Sequence, residues 1–208
     1  MTSFTYQDVR ITYIAHASFK INTKDLVIYT DPFKIPDNMI PADLILISHG
    51  HYDHCDPADI AKISKPTTII LTTEEAKRKV KGNVQVMGQH GKFKIKGTTI
   101  TSIPAYNRNK PYHPKGSGIG FIIDTTKTRI YFAGDTDYTE DMDKVEKIDI
   151  CLVPIGGTYT MNEQEAAQFV NNIKPKVAIP MHYGTITAGD PVKFKQLTEG
   201  SIDVRILA

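Results

Sequence analysis

The sequence predicts a layered α/β protein with substantial sheet. Short strand-like segments crowd the first half of the chain, and strands alternate with helix-like segments in the second. Several strands are apolar throughout instead of alternating, as strands covered on both faces are. The chain has 208 residues, which suits one compact domain or two small halves. No linker, low-complexity segment or short repeat interrupts it, so residues 1–208 are read as a single domain.

The elements follow from local pattern. RITYI (10–14), SFKIN (18–22) and LVIYT (26–30) are rich in β-branched and aromatic residues and read as strands. DLILIS (43–48) is a continuous apolar strand. DPADIAKI (56–63) opens with an Asp cap and a Pro at the first turn, both helix-start signals. TTII (67–70) reads as a strand and TTEEAKRKV (72–80) as a helix with a Thr cap and early acids. Strands are expected at 84–87, 92–96 and 98–103, then a long Pro/Asn/Gly-rich loop over 104–118. Loops of that length are usually functional or disordered. Strands resume at 119–124, 128–134 and 149–157. NEQEAAQFVNNI (162–173) is the clearest amphipathic helix; a strand (176–180), a capped helix (190–198) and a final strand (203–207) complete the chain.

Composition narrows the function classes. Lys+Arg number 25 and Asp+Glu 23, a formal net charge of +2. That balance gives no reason to expect nucleic acid or an acidic membrane as partner. No apolar run approaches the roughly 18 residues of a membrane span. The N-terminus lacks a signal-peptide pattern. The two cysteines, Cys55 and Cys151, are far apart and outside any CxxC pattern, so a cytoplasmic setting is expected.

Chemistry gathers at strand ends. His49, His51, Asp53 and His54 follow the 43–48 strand; Asp31, Asp135 and His182 follow three others; His113 sits in the long loop. Carboxyl ends of strands are where α/β proteins build sites. A lone histidine after a strand is usually a surface or packing residue. Four such groups on one turn are different, because crowding them without a cation is costly. His-x-His-x-Asp-His suits divalent metals such as zinc. One ion rarely uses all four, so two ions are expected: His49 and His51 on one, Asp53 and His54 on the other. His113, Asp135 and His182 are available to complete them, with Asp135 able to bridge. Such a pair holds a water, lowers its pKa and aims the hydroxide at an electrophile.

The segment SHGHYDH resembles the signature of the metallo-β-lactamase superfamily. IAHASFKI, TDPF, IPAYN, HPKGSGIGFII, FAGDTD, VPIGGTYTMNEQEAA and KPKVAIPMHYG extend that resemblance along nearly the whole chain. They are similar to the branch of small metal-dependent hydrolases that includes ascorbate-6-phosphate lactonase, and more distantly to the phospholipase D that hydrolyses N-acyl phosphatidylethanolamines. The resemblance implies a four-layer αββα sandwich of two mixed sheets flanked by helices. It also implies one metal on His49, His51 and the histidine of the third motif, a second on Asp53, His54 and His182, and Asp135 bridging.

Many members place the third-motif histidine directly after a strand ending in PA. Here IPAYN has Tyr106 and Asn107. His113 is the chosen ligand and His90, in MGQHGKF, its rival. His16 is read as near the metals, Asp31 as orienting a ligand imidazole, and Cys55 as a small buried filler. Gly156 and Gly157 are expected to form a tight turn. Tyr112, Tyr159 and Tyr183 are candidates to shape the pocket, and Lys115 reads as a solvated loop lysine.

The expected activity is therefore a dinuclear metal hydrolase. Its metal-bound hydroxide would attack a carbonyl or phosphoryl centre of a small polar or phosphorylated molecule: a lactone, ester, amide or phosphodiester. Asp53 is the expected catalytic residue, binding metal and relaying a proton to the leaving group. Zinc is the first choice of metal, and the same ligands accept Mn, Fe, Co or Ni. The partner is a small-molecule substrate, with no nucleic acid or membrane; homo-oligomerisation is left open. The alternatives are a di-iron redox protein and a non-catalytic metal-binding scaffold.

Overall fold

The computed structural model describes residues 1–184 and 186–207. They form two compact units, Met1–Gly88 together with Leu207, and Gln89–Ile206. Each unit is built on one mixed seven-stranded sheet.

In the first unit, β1 (Ser3–Tyr6), β2 (Val9–Ala15), β3 (Ser18–Asn22) and β4 (Val27–Thr30) form an antiparallel meander. From β4 onward the pairing is parallel, through β5 (Leu44–Leu46), β6 (Ile69–Thr72) and β7 (Asn83–Val86). Parallel neighbours need crossovers. Helices α1 (Pro57–Ile63) and α2 (Glu74–Lys77) lie on two of them. Asp56 caps α1 by accepting from the N–H groups of Ala58 and Asp59, with Pro57 at its start. The core includes Tyr29, Ile45, Ile47, Cys55, Ile60, Ile63 and Ile70. Full burial of an Ile side chain contributes about 1.5–3 kcal/mol.

The second unit repeats the plan. β8 (Lys92–Ile95), β9 (Thr98–Ala105), β10 (Gly118–Asp124) and β11 (Arg129–Phe132) are antiparallel; β12 (Ile150–Pro154), β13 (Val177–Met181) and β14 (Asp203–Val204) add in parallel. Helix α3 (Glu163–Ile173) starts with a capping box between Asn162 and Glu165. Helix α4 (Pro191–Leu197) is capped by Asp190. Phe169, Val170, Ala166 and Phe194 join Tyr131, Cys151, Val153 and Ala178 in the core.

Some sequence expectations are corrected. The helix expected over 72–80 is a single turn, Glu74–Lys77, of which only Ala76 is buried, too small an apolar face to extend the helix against its nucleation cost. Ser3–Tyr6 is a strand the sequence reading did not assign, an edge segment whose ladder to β2 supplies its partner. The 43–48 strand is in register over Leu44–Leu46, with Asp43 and Ile47 still bonded to the neighbouring strands, and Ser48 belongs to the turn that follows. Among the described residues, no helix is long and apolar enough to cross a membrane.

Candidate metal centre

The first unit gathers His16, Asp31, His49, His51, Asp53 and His54 beyond the ends of β2, β4 and β5. All but His51 are buried. Asp31 receives the Ser48 backbone N–H (2.7 Å) on one oxygen; the other receives the Ser48 hydroxyl (2.6 Å) and faces His54 Nδ1 (2.7 Å). Burial raises the Asp31 carboxyl above the usual range, while His54 and Ser48 pull it back down.

These bonds fix two tautomers. The Ser48 hydroxyl proton is committed to Asp31, so Ser48 Oγ accepts from His49 Nδ1, 2.9 Å away. His54 Nδ1 is committed to Asp31 in the same way. A neutral imidazole carries one proton. Both rings therefore present an unprotonated Nε2. That of His49 lies 3.0 Å from His51 Nδ1, and that of His54 lies 3.5 Å from Asp53 Oδ2. Asp53 Oδ2 is also 3.2 Å from His16 Nε2.

The second unit brings His113, Asp135 and His182 together. Asp135 Oδ2 lies 3.4 Å from His113 Nε2 and 2.9 Å from His182 Nε2, and all three residues are buried. His113 Nδ1 faces two acceptors, Asn107 Oδ1 (3.0 Å) and the Tyr159 carbonyl (3.2 Å), so it carries the ring proton. His113 Nε2 then meets a carboxylate oxygen with no proton of its own.

The residues fit a divalent cation in both units. Two electron-rich atoms facing each other in a buried site need a positive charge between them. A charge-assisted hydrogen bond would close to about 2.7–2.9 Å. Two ligands each about 2.1 Å from a tetrahedral ion stand about 3.4 Å apart. The separations of 3.4 Å for His113–Asp135 and 3.5 Å for His54–Asp53 match the second figure, while the 2.9 Å of His182–Asp135 matches the first.

Three of these residues also have left-handed backbone. His16, Asp31 and His182 have φ of +53°, +37° and +57°. Each costs about 1–3 kcal/mol, and such residues cluster at functional sites. Gly156 lets the chain pass His182: a Cβ there would lie 2.6 Å from the His182 carbonyl oxygen and also clash with Thr187 Oγ1.

Other expectations resolve simply. His90 is exposed with φ +65°, and its N–H donates to the Ser102 carbonyl, a turn role. Cys55 packs in the first core, and burial pushes its thiol up to about 11. Tyr112 and Tyr159 stack edge to face, 4.6 Å between centroids. Lys115 sits over the Tyr106 ring. Sequence reading missed Ser48 as the link from Asp31 to His49. It also gave no role to Asn107, Lys110 or Asp137; the only signal was Asn107 standing at the end of IPAYN.

A sequence model of the Beta-lactamase superfamily domain matches residues 10–182. The chain belongs to the β-lactamase superfamily. It is 33% identical to a UPF0173 metal-dependent hydrolase of Methanopyrus kandleri, covering 96% of each chain. It is 35% identical to another UPF0173 metal-dependent hydrolase from Thermoplasma acidophilum, over 92% of this chain and 91% of that one. Among solved structures, a candidate metal-dependent hydrolase of Parabacteroides distasonis aligns with a TM-score of 0.89 and 32% identity, covering 99% of this chain and 97% of that one. The metallo hydrolase Igni18 of Ignicoccus hospitalis aligns with a TM-score of 0.78 and 27% identity, over 95% and 94%. Two mixed seven-stranded sheets and four helices match the α/β sandwich of this superfamily.

Proposed function

We propose that this metal-dependent hydrolase holds two divalent ions, zinc first among them, on His49, His51, Asp53, His54, His113, Asp135 and His182, with Asp53 as the catalytic residue. The observation that carries the reading is the set of oxygen atoms that three imidazole Nδ1 atoms face. His49, His54 and His113 each have Nδ1 committed to an acceptor, which leaves Nε2 as a metal-ready donor. When bound, the ions acidify a water and polarise a carbonyl or phosphoryl centre.

The chain's own residues do the rest. Asp31 and Ser48 hold the His49 and His54 rings in one tautomer and orientation. His16 steadies Asp53 through the 3.2 Å contact to Oδ2. The Asp53 carboxylate takes the proton of the attacking water and returns it to the leaving oxygen or nitrogen. The substrate is a small polar or phosphorylated lactone, ester, amide or phosphodiester. The near balance of 25 cations and 23 acids supports a small molecule over a nucleic acid. Two buried free thiols, Cys55 and Cys151, support a reducing compartment such as the cytoplasm.

Asp53→Ala tests the proposal on a panel of lactones, esters, amides and phosphodiesters. With the far-ultraviolet dichroism unchanged, zinc-dependent turnover is expected to vanish. Undiminished turnover in that variant overturns the reading.

A further inference from the structure

We propose that Asn107 is the positioning residue that sets the tautomer and aim of His113, and that Asp137 and Lys110 hold Asn107 for that task. This rests on the reading of His113 as a metal ligand. A histidine delivered by a long loop has more freedom than one that leaves a strand directly, so something must fix it.

Asn107 stands two residues past β9 and is buried. Its Oδ1 accepts the His113 backbone N–H at 3.0 Å and His113 Nδ1–H at 3.0 Å. Its Nδ2 donates to Asp137 Oδ1 at 3.1 Å and to the Tyr159 carbonyl at 2.8 Å. Both lone pairs and both protons of the amide are used. A flipped amide would set its NH₂ against two donors and its oxygen against two acceptors, so only one orientation is stable. The backbone repeats the clasp, with Asn107 N–H donating to the His113 carbonyl at 2.7 Å. The loop from 107 to 113 is thereby closed on itself at both ends.

Asp137 fixes Asn107 in turn. Its carboxylate receives Lys110 Nζ at 2.6 Å and the Arg108 N–H at 2.9 Å in addition to Asn107. Lys110 Nζ also donates to the Thr160 carbonyl at 2.7 Å. The ammonium offsets a buried carboxylate charge that the amide alone would leave costly. Asp137 lies two residues after Asp135, so one short segment carries both the carboxylate that faces His113 Nε2 and the carboxylate that anchors its Nδ1 partner.

Four full-length variants test this: Asn107→Leu, Lys110→Met, His113→Ala and the double variant N107L/H113A. In metal-free wild-type protein, long-range ¹H–¹⁵N spectra are expected to show His113 protonated at Nδ1. Asn107→Leu should shift it toward the other tautomer. By chelator competition, Asn107→Leu should bind zinc about 10- to 100-fold more weakly, and it should add nothing in the His113→Ala background. Lys110→Met, which leaves the amide itself in place, should act in the same direction and by less; it carries the test if Asn107→Leu does not fold. The proposal is overturned if His113 is protonated at Nε2 in the wild type. It is equally overturned if tautomer and zinc affinity stay unchanged in Asn107→Leu, or if that substitution weakens zinc as much without His113 as with it. A His113→Ala protein that binds two zinc ions as tightly as wild type instead removes His113 from the ligand set, while the tautomer spectra still decide the role of Asn107.

Discussion

In the first unit β4 leads directly into Asp31; in the second the corresponding strand, β11, leads into Asp135. Both carboxylates are buried, and both follow the last antiparallel strand before the parallel half of the sheet. Their surroundings differ. Asp31 faces donors: a backbone N–H, a hydroxyl and an imidazole N–H, all within 2.7 Å. Asp135 Oδ2 faces two imidazole Nε2 atoms, and one of those rings already carries its proton on Nδ1. The same strand end thus supplies a carboxylate ringed by donors in one unit and a carboxylate facing imidazole Nε2 atoms in the other, which is the arrangement our proposed metal site requires. What decides the role is the protonation of the groups opposite, not the residue type or its place in the sheet.

Removing each carboxylate gives the largest effect and the sharpest contrast. Asp31→Ala strands three buried donors, at about 1–3 kcal/mol for a group left unsatisfied. We expect the chelator-treated protein to lose about 3 kcal/mol or more. Asp135→Ala removes a group that faces the unprotonated Nε2 of His113 at 3.4 Å and makes a close contact with His182 Nε2 at 2.9 Å. The chelator-treated protein should therefore lose less than Asp31→Ala does, about 1–2 kcal/mol, while zinc binding collapses. Urea denaturation and zinc analysis of both variants measure this. Proportional losses of stability and metal in the two variants would break the contrast.

The first unit was readable because its chemistry is contiguous. His49, His51, Asp53 and His54 fall within six positions on one turn, and no fold is needed to see them as a group. Asp56 as cap of α1 was equally local, since a cap acts over three residues. The second unit spreads His113, Asp135 and His182 over three segments, each an isolated residue in sequence. Their places at strand ends and in the long loop made them candidates, and only the family resemblance assigned each to an ion. Ser48, Asn107 and Asp137 stayed hidden for a further reason. Their roles depend on which acceptor each donor reaches, and that is set by tertiary packing. The single-turn helix α2 shows the same limit, because its acids and Thr cap promised a length that the packing does not support.

Two glycines extend the comparison to smaller effects. Gly50 follows β5 and Gly156 follows the corresponding β12. A Cβ on Gly50 would meet the tips of Glu75 and Lys79, side chains that can swing aside, although Lys79 Nζ also donates to the Gly50 carbonyl. A Cβ on Gly156 would meet the His182 carbonyl, which is backbone. Gly156→Ala should therefore cost about 1–3 kcal/mol, and displacement of the His182 segment should loosen zinc as well. Gly50→Ala should cost clearly less in thermal melts. A larger loss at Gly50 would mean that the Lys79 contact governs the turn of the first unit.

The smallest difference lies at two helix starts with the same sequence, Asp-Pro. Asp56 caps α1 and Asp190 caps α4, each through two backbone N–H groups. Replacement by Ala should cost about 1 kcal/mol at either site. The second unit adds a layer: the N–H of Asp190 donates to Glu163 Oε1 at 2.8 Å, and Lys193 Nζ lies 3.4 Å from Oε2. Partial burial acts to raise the Glu163 carboxyl, but the Asp190 N–H and Lys193 outweigh it and hold the group below its usual value. A depressed carboxyl stabilises the fold above its unfolded pKa and loses that contribution as pH falls through the folded value. Glu163→Gln should therefore lower stability by less than about 1 kcal/mol at neutral pH, with the gap to wild type closing as the solution is acidified below the ordinary glutamate range. A gap that stays constant with pH would assign the effect of Glu163 to packing alone, and α4 would then be held by the same local cap as α1.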